Sequence, residues 1–222
     1  MKTRTNLLLI LFLSAFIFAG AQKSVAKDFT GVIVYNITYG DDVDAQVAAM
    51  MPKTMKLFIK GNKTRMEMSM AGGSNITVFD ADKKEGFVLV DMMGQKLAMK
   101  MSEKDIEEKS GDAPDVDVQI TDETKDIAGY TCKKAIVKLK DGSGEYTVYY
   151  TDELGSGAMN WDNPIYKDID GVMLEFSSDE NGMSMTFTAV KVEKKKVSEK
   201  DFEIPDGFKV MSMDEFKSMY GG

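Results

Sequence analysis

The chain contains no histidine. That absence excludes Ser-His and Cys-His dyads, an imidazole proton shuttle and every His-ligated zinc site. Cysteine occurs once, as Cys132, so no disulfide can form within the molecule and its core must hold by burial alone. The expected state of Cys132 is a small buried hydrophobe on a strand following the Ala128-Gly129 turn. Basic residues are outnumbered, 28 against 36 acidic, which makes nucleic acid an unsuitable partner and argues against electrostatic adhesion to an anionic membrane. With 43% apolar and 29% charged residues over 222 positions, the chain is neither disordered nor collagenous, and it is long enough to bury one sizeable core.

One long apolar run is present, Leu7 to Phe18 interrupted by Ser14, with Lys2 and Arg4 before it and Ala19-Gly20-Ala21 after it. This is the pattern of a cleavable signal peptide over residues 1–21, and it predicts export to the periplasm, with secretion as the alternative. A run of this length is short for crossing ~30 Å of hydrocarbon. A second cut is available after Ala26. Neither site is followed by cysteine, so no acylated tether is expected. Removing residues 1–21 takes two basic residues and no acidic one, so 26 minus 36 gives a mature net charge of −10.

Residues 22–222 read as one domain. Ile33, Tyr35, Ile37 and Tyr39 alternate with other residues, as do Met55, Leu57 and Ile59, and Met66, Met68 and Met70 alternate with Arg65, Glu67 and Ser69. A period of two predicts strands. Turn signals at Gly61-Asn62, Asp141-Gly142-Ser143-Gly144 and Asp179-Glu180-Asn181-Gly182 join them into antiparallel hairpins. Between 102 and 115 the pattern lapses into an acidic, lysine-rich loop or short frayed helix. Helical spacing is confined to Val43–Met51 and to a final segment opened by the Ser212-x-x-Glu215 capping box. Two short helices cannot cover about ten strands, so the fold class is mainly β, a strongly curved antiparallel sheet that must curl on itself or pair with another sheet.

Methionine occurs 18 times. Its spacing of two places Met66, Met68, Met70, Met99, Met101, Met183 and Met185 on one face with Leu57, Ile59 and Phe187, while Arg65, Glu67, Lys100, Ser184 and Thr186 are expected to point to solvent. Two readings stand side by side: ordinary core filling, as in a non-catalytic structural or envelope-stress protein whose concavity its own side chains fill, or a deformable wall that repacks around an apolar guest such as a lipid, an acyl chain or a lipidated partner. Thioethers also bind Cu(I), but here the soft set has no histidine beside it. Acidic clusters at Asp41-Asp42-Val43-Asp44 and Asp168-Ile169-Asp170-Gly171 invite calcium, and the second fails the EF-hand template because Tyr166 and Ser177 fall at its first and last ligand positions. No carboxylate pair is singled out for glycosidase chemistry, and Ser143 and Ser156 have no base to activate them. The expectation is a protein without catalytic residues, metal or cofactor.

Three stretches carry a family resemblance. Met51-Pro52-Lys53-Thr54-Met55 leading to Ile59-Lys60-Gly61-Asn62-Lys63-Thr64-Arg65-Met66-Glu67, then Lys125-Asp126-Ile127-Ala128-Gly129-Tyr130-Thr131-Cys132-Lys133-Lys134-Ala135, then Phe202-Glu203-Ile204-Pro205-Asp206-Gly207-Phe208-Lys209, resemble an exported bacterial family of unknown function, DUF4412. The ending and the meander before it are similar at the level of fold to the lipoprotein carriers LolA and LolB. The resemblance implies a half-barrel with a few short helices covering the concave face.

Overall fold

Alternation of apolar and polar side chains is written out as strands along almost the whole chain, because each such segment can bury one face only in a sheet. In the computed structural model, which describes residues 29–220 apart from 42, 71, 112, 113, 181 and 182, twelve of them form one continuous sheet. The expected signal peptide and both cleavage points lie outside the described residues. A meander follows β1 (Thr30–Tyr39): β2 (Thr54–Lys60), β3 (Lys63–Met70), β4 (Gly73–Asp80), β5 (Glu85–Met92) and β6 (Gln95–Met101). A second comprises β7 (Val116–Ile127), β8 (Tyr130–Leu139), β9 (Glu145–Thr151), β10 (Val172–Glu180) and β11 (Met183–Lys194). Strand β1 lies between the two meanders, paired with β2 on one side and β11 on the other.

The short β12 (Lys209–Ser212) adds to the free side of β6 and is the one parallel pairing among the described residues. Its four residues are too few for alternation to announce it. The strand order is β12-β6-β5-β4-β3-β2-β1-β11-β10-β9-β8-β7, and the two ends do not meet. The sheet is nevertheless strongly curled. Strand β7 comes back against β11, four places away, where a flat sheet would hold them about 19 Å apart. Interruptions of register at Val34/Tyr35, Met173/Glu175 and Ile120/Thr124 bend the strands locally, as bulges do. The result is the half-barrel expected from the sequence.

Helix α1 (Ala45–Met50) is capped by the Asp44 carboxylate, which accepts from the Gln46 and Val47 amides, and it buries no residue. Helix α2 (Glu103–Gly111) occupies the acidic, lysine-rich stretch, opened by a reciprocal Ser102/Asp105 box. Helix α3 (Met213–Tyr220) starts at Ser212, whose amide donates to Glu215 while its hydroxyl accepts from the Glu215 amide, as the motif predicts. No helix among the described residues is long and apolar enough to cross a membrane.

Candidate functional site

Pairing carries the methionine stripe across the sheet. Leu57, Met66, Thr77, Val88, Met99 and Met211 lie abreast on β2, β3, β4, β5, β6 and β12. A parallel row runs Met55, Met68, Asn75, Val90, Leu97, and a third runs Ile59, Thr64, Phe79, Gly86, Met101. Met70 is on the same face opposite Gly73, and Met185 and Phe187 continue it beyond β1 opposite Tyr39 and Ile37. Met183 pairs with Glu180 at the start of β11. Leu57, Ile59, Met66, Met68, Met185 and Phe187 join one apolar cluster with Ile33, Tyr35, Met55 and Cys132, whereas Met70, Met99, Met101 and Met183 share the pattern outside it.

This face is the inner one, because the segment between β9 and β10 crosses it. Leu154 and Met159 are buried in the same cluster, Trp161 stands against Phe79 on β4, and Tyr166 stands against Phe176 on β10 and Tyr146 on β9. A 3-10 turn (Gly157–Asn160) fixes the segment, and the Asn160 amide donates to the Ile169 and Gly171 carbonyls at 2.8 and 3.0 Å. Tyr35 donates to the Met173 carbonyl at 2.8 Å and touches Phe176, which stacks on Phe187 with ring centroids 4.9 Å apart. Burial pushes the phenols of Tyr35 and Tyr166 well above their ordinary range. These groups are structural.

The two faces of β3 to β6 are filled differently. On the outer face Val78, Leu89 and Ala98 are 3%, 1% and 0% exposed. A strap formed by residues 195–208 runs across that face: Lys195 lies over Phe58, the Asp201 carbonyl accepts from Arg65 at 2.8 Å, and Lys96 lies over Phe208. On the inner face Met66, Met68, Thr77, Val88, Val90, Leu97, Met99 and Met101 are all only half-buried. Two sequence expectations are corrected by the outer contacts. Arg65 is not in solvent, since the strap covers it and Glu67 pairs with it at 2.7 Å, and Thr186 is half-buried against the Ser177 hydroxyl. Lys100 and Ser184 are exposed as expected.

Where the strap leaves the sheet, a cleft of about 490 Å³ opens between Phe87, Lys100, Phe202 and Ile204. Glu199 on its rim bridges Lys60 and Lys63 at 2.7 and 2.9 Å, and hydrogen bonds from these two ammonium groups draw its carboxyl down to about 2. Alternation could not reveal this cleft, because the strap has none; the Phe202-Glu203-Ile204-Pro205 cluster was the available signal.

Cys132 is buried on β8 beyond Ala128 and Gly129, which both take positive φ, and burial pushes its thiol up to about 11. The acidic clusters have local duties, Asp44 as a helix cap and Asp170 as acceptor from the Gly157 amide at 3.1 Å. Among the described residues no group of three or more acidic or thiol side chains is placed to hold a metal ion.

The family model described as a domain of unknown function (DUF4412) matches residues 29–163. Among curated proteins none matches. Two crystal structures of PNGF-II align with TM-scores of 0.53 and 0.54 at 17% identity, over 86% of this chain and 32% and 33% of theirs. The chain thus spans about a third of PNGF-II, and the likeness is one of fold. LprF from Mycobacterium bovis aligns at a TM-score of 0.36 and 11% identity over 81% of this chain and 90% of its own. A beta-barrel-like DUF1849 protein from Brucella abortus aligns at 0.36 and 9% identity, over 77% of this chain and all of its own.

Proposed function

On the premise that the chain belongs to the DUF4412 family, whose function is unknown, we propose that it is an exported, non-catalytic binding protein that holds a hydrophobic ligand against the inner face of β3 to β6. The guest is a lipid, an acyl chain or the lipid of a modified protein partner. One observation carries this reading: in the middle rows of these strands the inner side chains Met66, Met68, Val88, Val90, Leu97 and Met99 are left half-open while Val78, Leu89 and Ala98 opposite them are sealed, with Ile76 and Phe87 half-buried on the outer face and Thr64 and Phe79 closing the inner face at one end. A face meant only as core would be closed to the degree of Val78 and Leu89, since each exposed methylene forgoes about 0.8 kcal/mol. Methionine suits the open side because it is unbranched and repacks around irregular shapes. Ile59 and Phe187, which are fully packed, support the wall from beneath and do not touch the guest.

The test pairs two substitutions on opposite faces. Met68→Lys is expected to abolish uptake of an apolar fluorescent probe with a stability loss under about 1.5 kcal/mol, because the ammonium can reach water from a half-open wall. Leu89→Lys, at a sealed position, is expected to cost several kcal/mol or unfold the chain. Unfolding by Met68→Lys together with no probe uptake in the wild type would instead support a structural protein with a self-filled core.

A further inference from the structure

Two polar atoms on the inner side are buried without a hydrogen-bond partner: the Asn75 Oδ1 acceptor and the Trp161 Nε1 donor. Native interiors leave few such groups, so each marks a place where something else completes the bonding. Asn75 is in the row of Met68 and Val90, flanked on both sides by apolar residues. Trp161 stands over Phe79, four residues further along the same strand. Both therefore adjoin the wall assigned above to the guest, and the inference rests on that assignment.

The second observation is one of charge. Every inward position of β2 to β6 given by the pairing, from Met55 and Leu57 to Met99 and Met101, is uncharged. The lysines and carboxylates of these strands fall on the outer positions or at the turns. An anion drawn against these strands would lose its hydration with no counter-charge to replace it, and the opening beside Trp161 sets Asp168 and Asp170 against Lys167 and so offers no net positive charge, whereas a neutral polar group needs only a hydrogen-bond partner. Asn75 offers an acceptor toward one end of β4 and Trp161 a donor toward the other, about 13 Å along the strand, so each can meet a neutral head on its own.

We propose that this face selects uncharged amphiphiles: an apolar chain with a hydroxyl, amide or glycerol-ester head, in preference to a carboxylate or phosphate of the same chain. Asn75 also begins an Asn-x-Thr sequon, but its burial on the inner face gives it this role in place of carrying a glycan.

The experiment displaces a bound naphthylamine probe from the wild-type protein at pH 8 with myristyl alcohol, myristamide and myristate, which share one chain length and differ in the head. The alcohol and the amide are expected to displace it at concentrations at least about tenfold lower than myristate. For Trp161→Phe and Asn75→Leu, which delete the unpaired atoms and keep the apolar bulk, the readout is the ratio of myristate to alcohol displacement within each variant, whatever its own affinity for the probe, and at least one is expected to reduce that preference to about threefold or less. Retained melting temperatures show that both variants are folded. Equal displacement by myristate, or a preference unchanged in both variants, overturns the inference and leaves the carrier reading intact. Absence of probe binding in the wild type removes the carrier reading, and the inference with it.

Discussion

Trp161 stands edge-on to Phe79 with ring centroids 6.1 Å apart and planes at 82°, although Phe79 is on β4 and Trp161 follows β9. This single contact ties the segment between β9 and β10 to the far side of the half-barrel. Together with Tyr166 of the same segment, packed against Tyr146 on β9 and Phe176 on β10, it spans the curl from within.

Removing the ring should loosen that tie. A fully buried aromatic costs about 3–5 kcal/mol when cut to alanine, and the half-buried Trp161 should cost about 2. Trp161→Ala is therefore expected to lower stability by that amount in urea and to speed amide exchange in residues 154–171. An unchanged exchange pattern would show that the tie does not hold the segment.

Gly157 has no room for a side chain. A β-carbon there would sit 2.3 Å from the Ile169 carbonyl oxygen and 2.8 Å from the Asp170 α-carbon, both backbone atoms that cannot step aside. Gly157→Ala should cost about 1–3 kcal/mol and displace the 3-10 turn. Denaturant titration would expose an error here as a midpoint equal to the wild type's.

Acid should release the strap. The Glu199 carboxyl is depressed from 4.5 to about 2 by Lys60 and Lys63, so its contribution is present above pH 4.5 and is lost as the pH falls from there toward 2. Because the cluster is exposed, salt should weaken the effect. Amide exchange around Val197 and Phe202 is expected to rise across that window in the wild type and to be already raised at neutral pH in Glu199→Gln. A flat response in both would place the anchor elsewhere, on Arg65.

Cys132 should be inert in the native state. Raising its pKa from 9.0 to about 11 lowers the thiolate fraction at pH 8 by about a hundredfold, before burial is counted. Labelling by a thiol reagent should therefore track global unfolding, with urea accelerating it through the denaturation midpoint. Complete reaction within seconds in buffer would contradict the buried position.

The methionine face was legible because alternation fixes a side chain's direction once its strand is known, and Met66, Met68 and Met70 lie on the side where Leu57 and Ile59 also point. The strap was not legible, since Val197, Phe202, Ile204 and Phe208 follow no period and stand among lysines and acids. Its cover is what takes Arg65 out of solvent, a long-range event with no local signature. The segment from Leu154 to Ile169 was silent for a related reason: its burial rests on Asn160 satisfying backbone carbonyls, which composition does not disclose. Nor does any pattern in the sequence mark Asn75 and Trp161 as unpaired.

The central place of β1 has a consequence for the order in which the chain can assemble. Its pairing with β2 closes over a short connection, but Thr38 must wait for Thr186, 148 residues later, before its other edge is covered. Until then Val32, Ile33, Val34 and Tyr35 present an unpaired, strongly strand-forming edge to any other chain nearby. Each meander forms from pairings close in sequence, the longest link within them being the segment 152–171 between β9 and β10, so the slow step is the docking of the second onto β1, with the large loop-closure entropy paid at that moment. The emerging chain is thus most vulnerable to association through its earliest strand, and a factor that shields this segment until β11 is complete would govern the yield of folded protein.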